Sequence, residues 1–177
     1  PLPIAWQSGE VFDYAAASYE EPYGQPDNRP ATHRREVLFL KPDLFLVVDR
    51  LTPNDDQEHR YEARWHMRST AVRAGTTPGS FASADQGRPN LAVVPLRPEG
   101  LTTAAVSAQE EPELLGWLVH KSSKHIPTTT VRHVVQGEGA KLLVTLLVPM
   151  RPAAECPVRS LRLDGDAVRP FSGPLAL

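Results

Sequence analysis

Cysteine is almost missing from this chain: 177 residues hold one, Cys156. That excludes an internal disulfide and leaves the compartment open, because export does not require disulfides. A single thiol with no motif around it reads as a small, partly buried apolar residue, not as a nucleophile. Long apolar runs are missing too, since the longest, Leu142 to Val148, has strand length and falls far short of the roughly 20 residues of a membrane-spanning helix. An excess of one charge is missing as well. The formal net charge is -2, so no global field recruits nucleic acid or an anionic membrane. No signal peptide opens the chain, and Pro1-Leu2-Pro3 is no initiator sequence, which reads as the interior of a longer precursor. No serine nucleophile elbow occurs. The glycines of Gln136-Gly137-Glu138-Gly139 lack the Lys-Ser/Thr ending and following helix of a phosphate loop, so they read as a hairpin turn.

What is present is proline and short apolar segments. The chain holds 18 prolines, about double the usual share near 5%, which disfavours long helices and suits many short strands joined by turns. The segments Arg35 to Leu40 and Leu44 to Leu51 are rich in Val, Leu and Phe, with Lys41-Pro42-Asp43 between them as a hairpin turn. Thr52 to Gln57 is a second turn, and Glu58 to Arg68 a third strand with clear alternation. Further strands are expected at Val72 to Ala74, Leu91 to Leu96, Leu101 to Ala108, Leu114 to Val119, Thr128 to Val135, Lys141 to Val148, Val158 to Leu163 and Ala167 to Pro170. The opening Leu2 to Tyr23 alternates only weakly and runs into a loop of Pro, Gly, Asn and Asp. Thr76 to Asn90, rich in Gly, Ser, Thr and Pro, is expected to be a mobile loop. No helical period survives, so the expected fold is all-β: one antiparallel β-sandwich domain of two packed sheets over residues 1–177.

Chemistry concentrates between Thr32 and Met67. His33, Asp49 and His66 fall on three successive strands, where short turns bring two imidazoles and a carboxylate together. Such a donor set suits zinc or a similar divalent ion with an open position. Each residue has a plainer reading. On the residues alone His33 reads better as a surface residue before a strand, hydrogen-bonded to a neighbouring carboxylate. Asp49 closes a strongly apolar strand and needs a partner if buried; Arg35 or Arg50 serves as well as a metal. His66 lies on the charged face of the third strand with Glu62, Arg64 and Arg68, and is the strongest ligand candidate of the six histidines. The opposite face carries His59, Tyr61, Ala63, Trp65 and Met67 and reads as core. Arg35 and Arg64 have the forked guanidinium geometry that pairs with uronate carboxylates or sulfates. Tyr14, Tyr19 and Tyr23, near the loop before His33, are better placed to reach a sugar than Tyr61, which strand parity assigns to packing. His120, His125 and His133 fit no ligand spacing and read as solvated loop residues.

The order of these motifs resembles the heparinase II/III-like polysaccharide lyases. The resemblance rests on His33-Arg34-Arg35 leading an apolar strand, Lys41-Pro42-Asp43, the run Phe45 to Leu51, HRYEARWH at His59 to His66, Gly116-Trp117, and LLVTLLVP at Leu142 to Pro149. It implies a C-terminal β-sandwich that follows a helical toroid upstream, with a periplasmic or secreted location. It further implies a divalent metal, zinc in the usual case, held by residues matching His33, Asp49 and His66. The implied chemistry is β-elimination at a uronic acid in an acidic polysaccharide. The catalytic base and acid belong to the toroid, so no catalytic residue is assigned to this chain, which is expected to be inactive alone and to form one wall of the cleft. The alternative is a stand-alone, non-catalytic carbohydrate-binding or interaction module.

Overall fold

Alternating and apolar segments of the chain become strands throughout the computed structural model, which describes residues 5–20, 31–119 and 124–158. In chain order these are β1 (Ala5–Ser8), β2 (Phe12–Tyr19), β3 (Ala31–Leu40), β4 (Leu44–Pro53), β5 (His59–Met67), β6 (Val72–Ala74), β7 (Phe81–Ser83) and β8 (Asn90–Pro95). They continue as β9 (Thr102–Ser107), β10 (Trp117–Val119), β11 (His125–Pro127), β12 (Thr129–Gly137) and β13 (Lys141–Met150). No helix occurs among the described residues. An eight-stranded antiparallel sheet A runs β1-β2-β3-β4-β13-β8-β7-β6, and a three-stranded sheet B runs β5-β12-β9. The β10–β11 pair forms a separate ribbon.

The central strands β4 and β13 are buried on both faces, which is why they read as nearly continuous apolar runs. On the outer face of sheet A, Leu46, Val48, Val94, Val144, Leu146 and Val148 form one cluster, with Cys156 and Val158 packed against it. On the inner face Val93 meets Met67 and Val131 of sheet B, flanked by Trp65, Phe81, Leu91 and Leu147. This second cluster joins the two sheets and gives the expected sandwich, although the sheets differ greatly in width.

Several expectations need correction. The turn after β4 and the glycine-rich turn after β12 do not close hairpins. Each carries the chain from one sheet to the other, because β4 pairs with β3 and β13 while β5 pairs with β12. The tract Thr76 to Asn90 contains β7 and is tied down by Asn90, whose Oδ1 accepts from Ser83 Oγ and from the Asp85 backbone N–H, each at 2.8 Å. The weakly alternating opening hides β1 and β2. His133 is 1% exposed instead of solvated. It sits on β12 beside the inter-sheet cluster, and burial pushes its imidazole below the usual range despite a contact with the Gly79 carbonyl at 3.2 Å. The strands expected beyond Val158 lie outside the described residues, as do Tyr23 and His120.

One glycine is required by its surroundings. Gly116 has φ +75°, and a Cβ there would lie 2.6 Å from the Val106 carbonyl oxygen and 2.8 Å from the Ala108 nitrogen. Its own carbonyl accepts from the backbone N–H groups of Ala108 and Thr128. The close approach clamps the 109–116 loop onto sheet B, so that Glu113 reaches the arginines on its outer face.

Candidate functional site

Register places the candidate residues. In the β3–β4 ladder His33 lies opposite Leu51 and Arg35 opposite Asp49, and alternation sends His33, Arg35 and Asp49 to the inner face of sheet A. Asp49 is 2% exposed at the end of the apolar strand β4, so its carboxylate needs compensation. It receives three contacts. His33 Nε2 lies 2.7 Å from Oδ1, Arg35 Nε donates to Oδ1 at 2.6 Å, and an Arg35 terminal nitrogen donates to Oδ2 at 3.0 Å. Burial pushes the Asp49 carboxyl up, but the hydrogen bonds from His33 and Arg35 outweigh it and hold the group below its ordinary range. Being ionised, the carboxylate only accepts, so the His33 ring N–H donates.

A cavity of about 260 Å³ opens beside this cluster. Sheet A lines it with Ala31, His33, Arg35, Asp49, Leu51 and Leu143, and β5 of sheet B lines it with His59, Arg60, Tyr61, Glu62 and Ala63. The β5 face expected to be core therefore does point inward, but part of it meets the cavity. Among the described residues the buried Tyr61 hydroxyl has no hydrogen-bond partner, and burial raises its pKa further above neutrality, so the phenol is neutral. His59 Nε2 lies 2.6 Å from Asp55 Oδ1. The Arg35 guanidinium also stands over the Trp65 ring, 5.6 Å from its centroid. Sequence reasoning gave Tyr61 and His59 to packing; only the width of the gap between the sheets reveals them as cavity residues.

The structure brings together two of the three expected metal ligands and leaves the third apart. His66 lies on the exposed face of β5, opposite Thr130 in the ladder, with Nδ1 at 3.0 Å from Thr130 Oγ1. It is not a lining residue of the cavity, whose β5 lining runs from His59 to Ala63, and alternation sets it on the other side of sheet B from Trp65. Both Asp49 oxygens face Arg35. Among the described residues no group of three His, Cys, Asp or Glu side chains converges in a way that could hold a metal ion. As placed, the trio does not fit a three-ligand centre, and no step below is routed through a metal. His66→Ala is accordingly expected to leave the divalent-metal content of chelator-free protein equal to that of the parent. Loss of a stoichiometric ion in that variant, measured by elemental analysis, would reinstate His66 as a ligand.

The proposed sugar contacts separate in the same way. Tyr19 lies opposite His33 on the inner face and is 44% exposed. The Arg35 side chain is 47% exposed although two of its nitrogens hold Asp49. Arg64 instead points outward from sheet B, where it donates to Glu62 at 2.7 Å and to both Glu113 oxygens at 3.0 and 2.7 Å. Its hydrogen bonds are committed to a surface ion-pair network.

Residues 18–158 match the profile of the C-terminal domain described as heparinase II/III-like. No curated protein matches the chain. Among solved structures, the heparan sulfate lyase HepC from Pedobacter heparinus superposes with a TM-score of 0.68 at 15% identity, covering 85% of this chain and 22% of that one. The heparinase III product of BT4657 gives 0.66 at 17% identity, over 84% of this chain and 21% of that one. Another heparinase III gives 0.63 at 12% identity, over 85% and 21%. The chain thus spans little more than a fifth of the length of these proteins.

Proposed function

Because the chain belongs to the heparinase II/III-like C-terminal domain family, we propose that it forms one wall of the substrate cleft of a lyase acting on uronate-containing, acidic polysaccharide. The observation that carries this reading is Arg35. Its guanidinium is oriented by Asp49 and stands half-exposed at the edge of a cavity that also contains a neutral phenol. A guanidinium held in place by Asp49 meets a carboxylate or sulfate without first being ordered by the ligand. His33 locks Asp49 from the other side.

Elimination needs a base at the carbon next to the carboxylate and an acid at the leaving oxygen, in one geometry. The residues lining this cavity supply charge neutralisation and positioning, and the proposal places the base and acid on a further part of a longer protein, a helical toroid. The family match favours this reading over a module with no lyase kinship.

The test compares the isolated chain with the product of the whole gene on uronate polymers, following the ultraviolet absorbance of the unsaturated uronide. The isolated chain is expected to yield none. The whole product is expected to yield it, and Arg35→Ala there should lower kcat/KM by about tenfold, mainly through KM, in keeping with loss of one charge-assisted contact. Absence of elimination by the whole product on sulfated and unsulfated uronate polymers alike would reject the proposal.

A further inference from the structure

Among the described residues His133 is the titratable side chain on the inner face of sheet B that the cavity does not use. It is 1% exposed on the central strand β12, opposite Ala63 of β5 and Thr103 of β9. Its ring reaches the β6–β7 edge of sheet A. There Nε2 lies 3.2 Å from the Gly79 carbonyl oxygen, in the turn at 75–80 between β6 and β7. The carbonyl only accepts, so Nε2–H donates and the neutral ring keeps an unprotonated Nδ1. Among the described residues Gly79 is the sole hydrogen-bond partner of this ring.

The turn is closely seated. Gly79 has φ +72°, and a Cβ there would lie 3.0 Å from Thr103 Cγ2 and 3.2 Å from Pro95 Cγ, so β9 and the end of β8 hold it on two sides. The hairpin behind it is weakly tied. β6 and β7 share three residue pairs and β7 meets β8 through two, against seven in the β4–β13 ladder, and so short an edge opens more easily than the sheet centre.

We infer that His133 is a proton-sensitive latch: neutral, it fastens the edge hairpin of sheet A to the central strand of sheet B, and on protonation it releases the 75–80 turn. Among the described residues no charged group acts on the ring to stabilise a positive charge. β12 flanks it with Val131 and Val135, β5 sets Tyr61 and Trp65 beside Ala63, and β9 sets Ala105 beside Thr103. Sheet A brings Val93 and Phe81 to the same layer. Of these only Tyr61 titrates, and acid leaves it neutral. Burial opposes the proton and outweighs the Gly79 carbonyl, which favours it. Opening to water therefore becomes easier as pH falls below the ordinary imidazole value of 6.5. The latch needs no ligand and is independent of the substrate reading.

The test is amide hydrogen exchange on the chain from about pH 7.5 to about 5.5, corrected for the intrinsic pH dependence of exchange. It is read at the Gly75 and Ser80 amides, which bond within the turn. Their protection is expected to fall about fivefold over that range while the β4–β13 ladder keeps its own. His133→Gln, which retains a donor for Gly79 and does not titrate, should hold the turn's protection level. If that variant does not fold, the parent alone decides, since turn and ladder amides are compared within one molecule. Turn and ladder losing protection together would mean that His133 acts only on the whole fold, which overturns the latch. Protection of the turn that stays level in the parent overturns it too, as does an equal fall in His133→Gln.

Discussion

Asp49→Ala is expected to lower stability by about 3 kcal/mol, a loss of roughly 6–12 °C in thermal midpoint for a domain of this size. Removing one partner from a buried ion pair costs about 3–5 kcal/mol when the other stays dry. Here the loss falls toward the lower end, since the Arg35 side chain is 47% exposed and regains water. His33 is 19% exposed and loses its acceptor in a tighter place. A void also opens beside Leu143, which lies opposite Asp49 in the β4–β13 ladder and is 5% exposed. Asp49→Asn separates these terms: it keeps the volume but offers Arg35 an amide in place of a carboxylate. It should fall between the parent and Asp49→Ala. A double-mutant cycle with Arg35→Ala should return a coupling above 1 kcal/mol or so, because the two groups share two hydrogen bonds. Denaturation midpoints that leave Asp49→Ala within 1 °C or so of the parent would mean that Asp49 is not the anchor of the site.

How far the sequence reveals this site is instructive because it succeeds and fails within one stretch. The β3–β4 hairpin is legible from its turn and its apolar flanks, and with it the pairing that sets Arg35 against Asp49. Both plain readings of that pair, His33 on a carboxylate and Asp49 neutralised by Arg35, are present in the structure together. The side-chain parity of β5 is legible too, since period-two alternation is local. What is not local is the sheet that a strand joins. Pro53-Asn54-Asp55-Asp56 shows that the chain turns, but the same residues serve a hairpin or a crossing between sheets. The convergence of His66 with His33 and Asp49 depended on that choice. His133 was hidden for a related reason: its own segment reads only as a strand, and its burial comes from β12 being the central strand of sheet B. β2 was hidden by Ala15, Ala16 and Ala17, which carry little strand propensity.

Glu62→Gln is the second change with a large expected effect, about 2 kcal/mol and some 4–8 °C. Glu62 stands on the outer face of sheet B with its side chain 8% exposed. Arg132 donates to both of its oxygens at 2.6 and 2.8 Å, Arg64 approaches at 2.7 Å and Arg60 at 2.9 Å. Burial opposes ionisation, but these guanidiniums, Arg132 and Arg64 foremost, bring the carboxyl from 4.5 down to about 2. Taken whole, that shift corresponds to about 3 kcal/mol; the exposure of Arg60 and Arg64 reduces it to about 2. Because the folded-state value is the lower one, the stabilisation is complete above pH 4.5 and is lost as pH falls from there toward 2. The midpoint difference between parent and Glu62→Gln should therefore be constant from pH 7 to 5 or so and close as pH approaches 2 or so. His133 contributes a loss that starts earlier, below its unfolded value near 6.5, since its folded-state value is also depressed. That loss is common to parent and variant and cancels in the difference. Glu113, which also binds Arg64, partly compensates the freed arginines and should make the effect smaller at low salt than three unpaired charges would. A parent-minus-variant difference that stays flat down to pH 2 or so would show that the Glu62 charge does not hold the face of sheet B together.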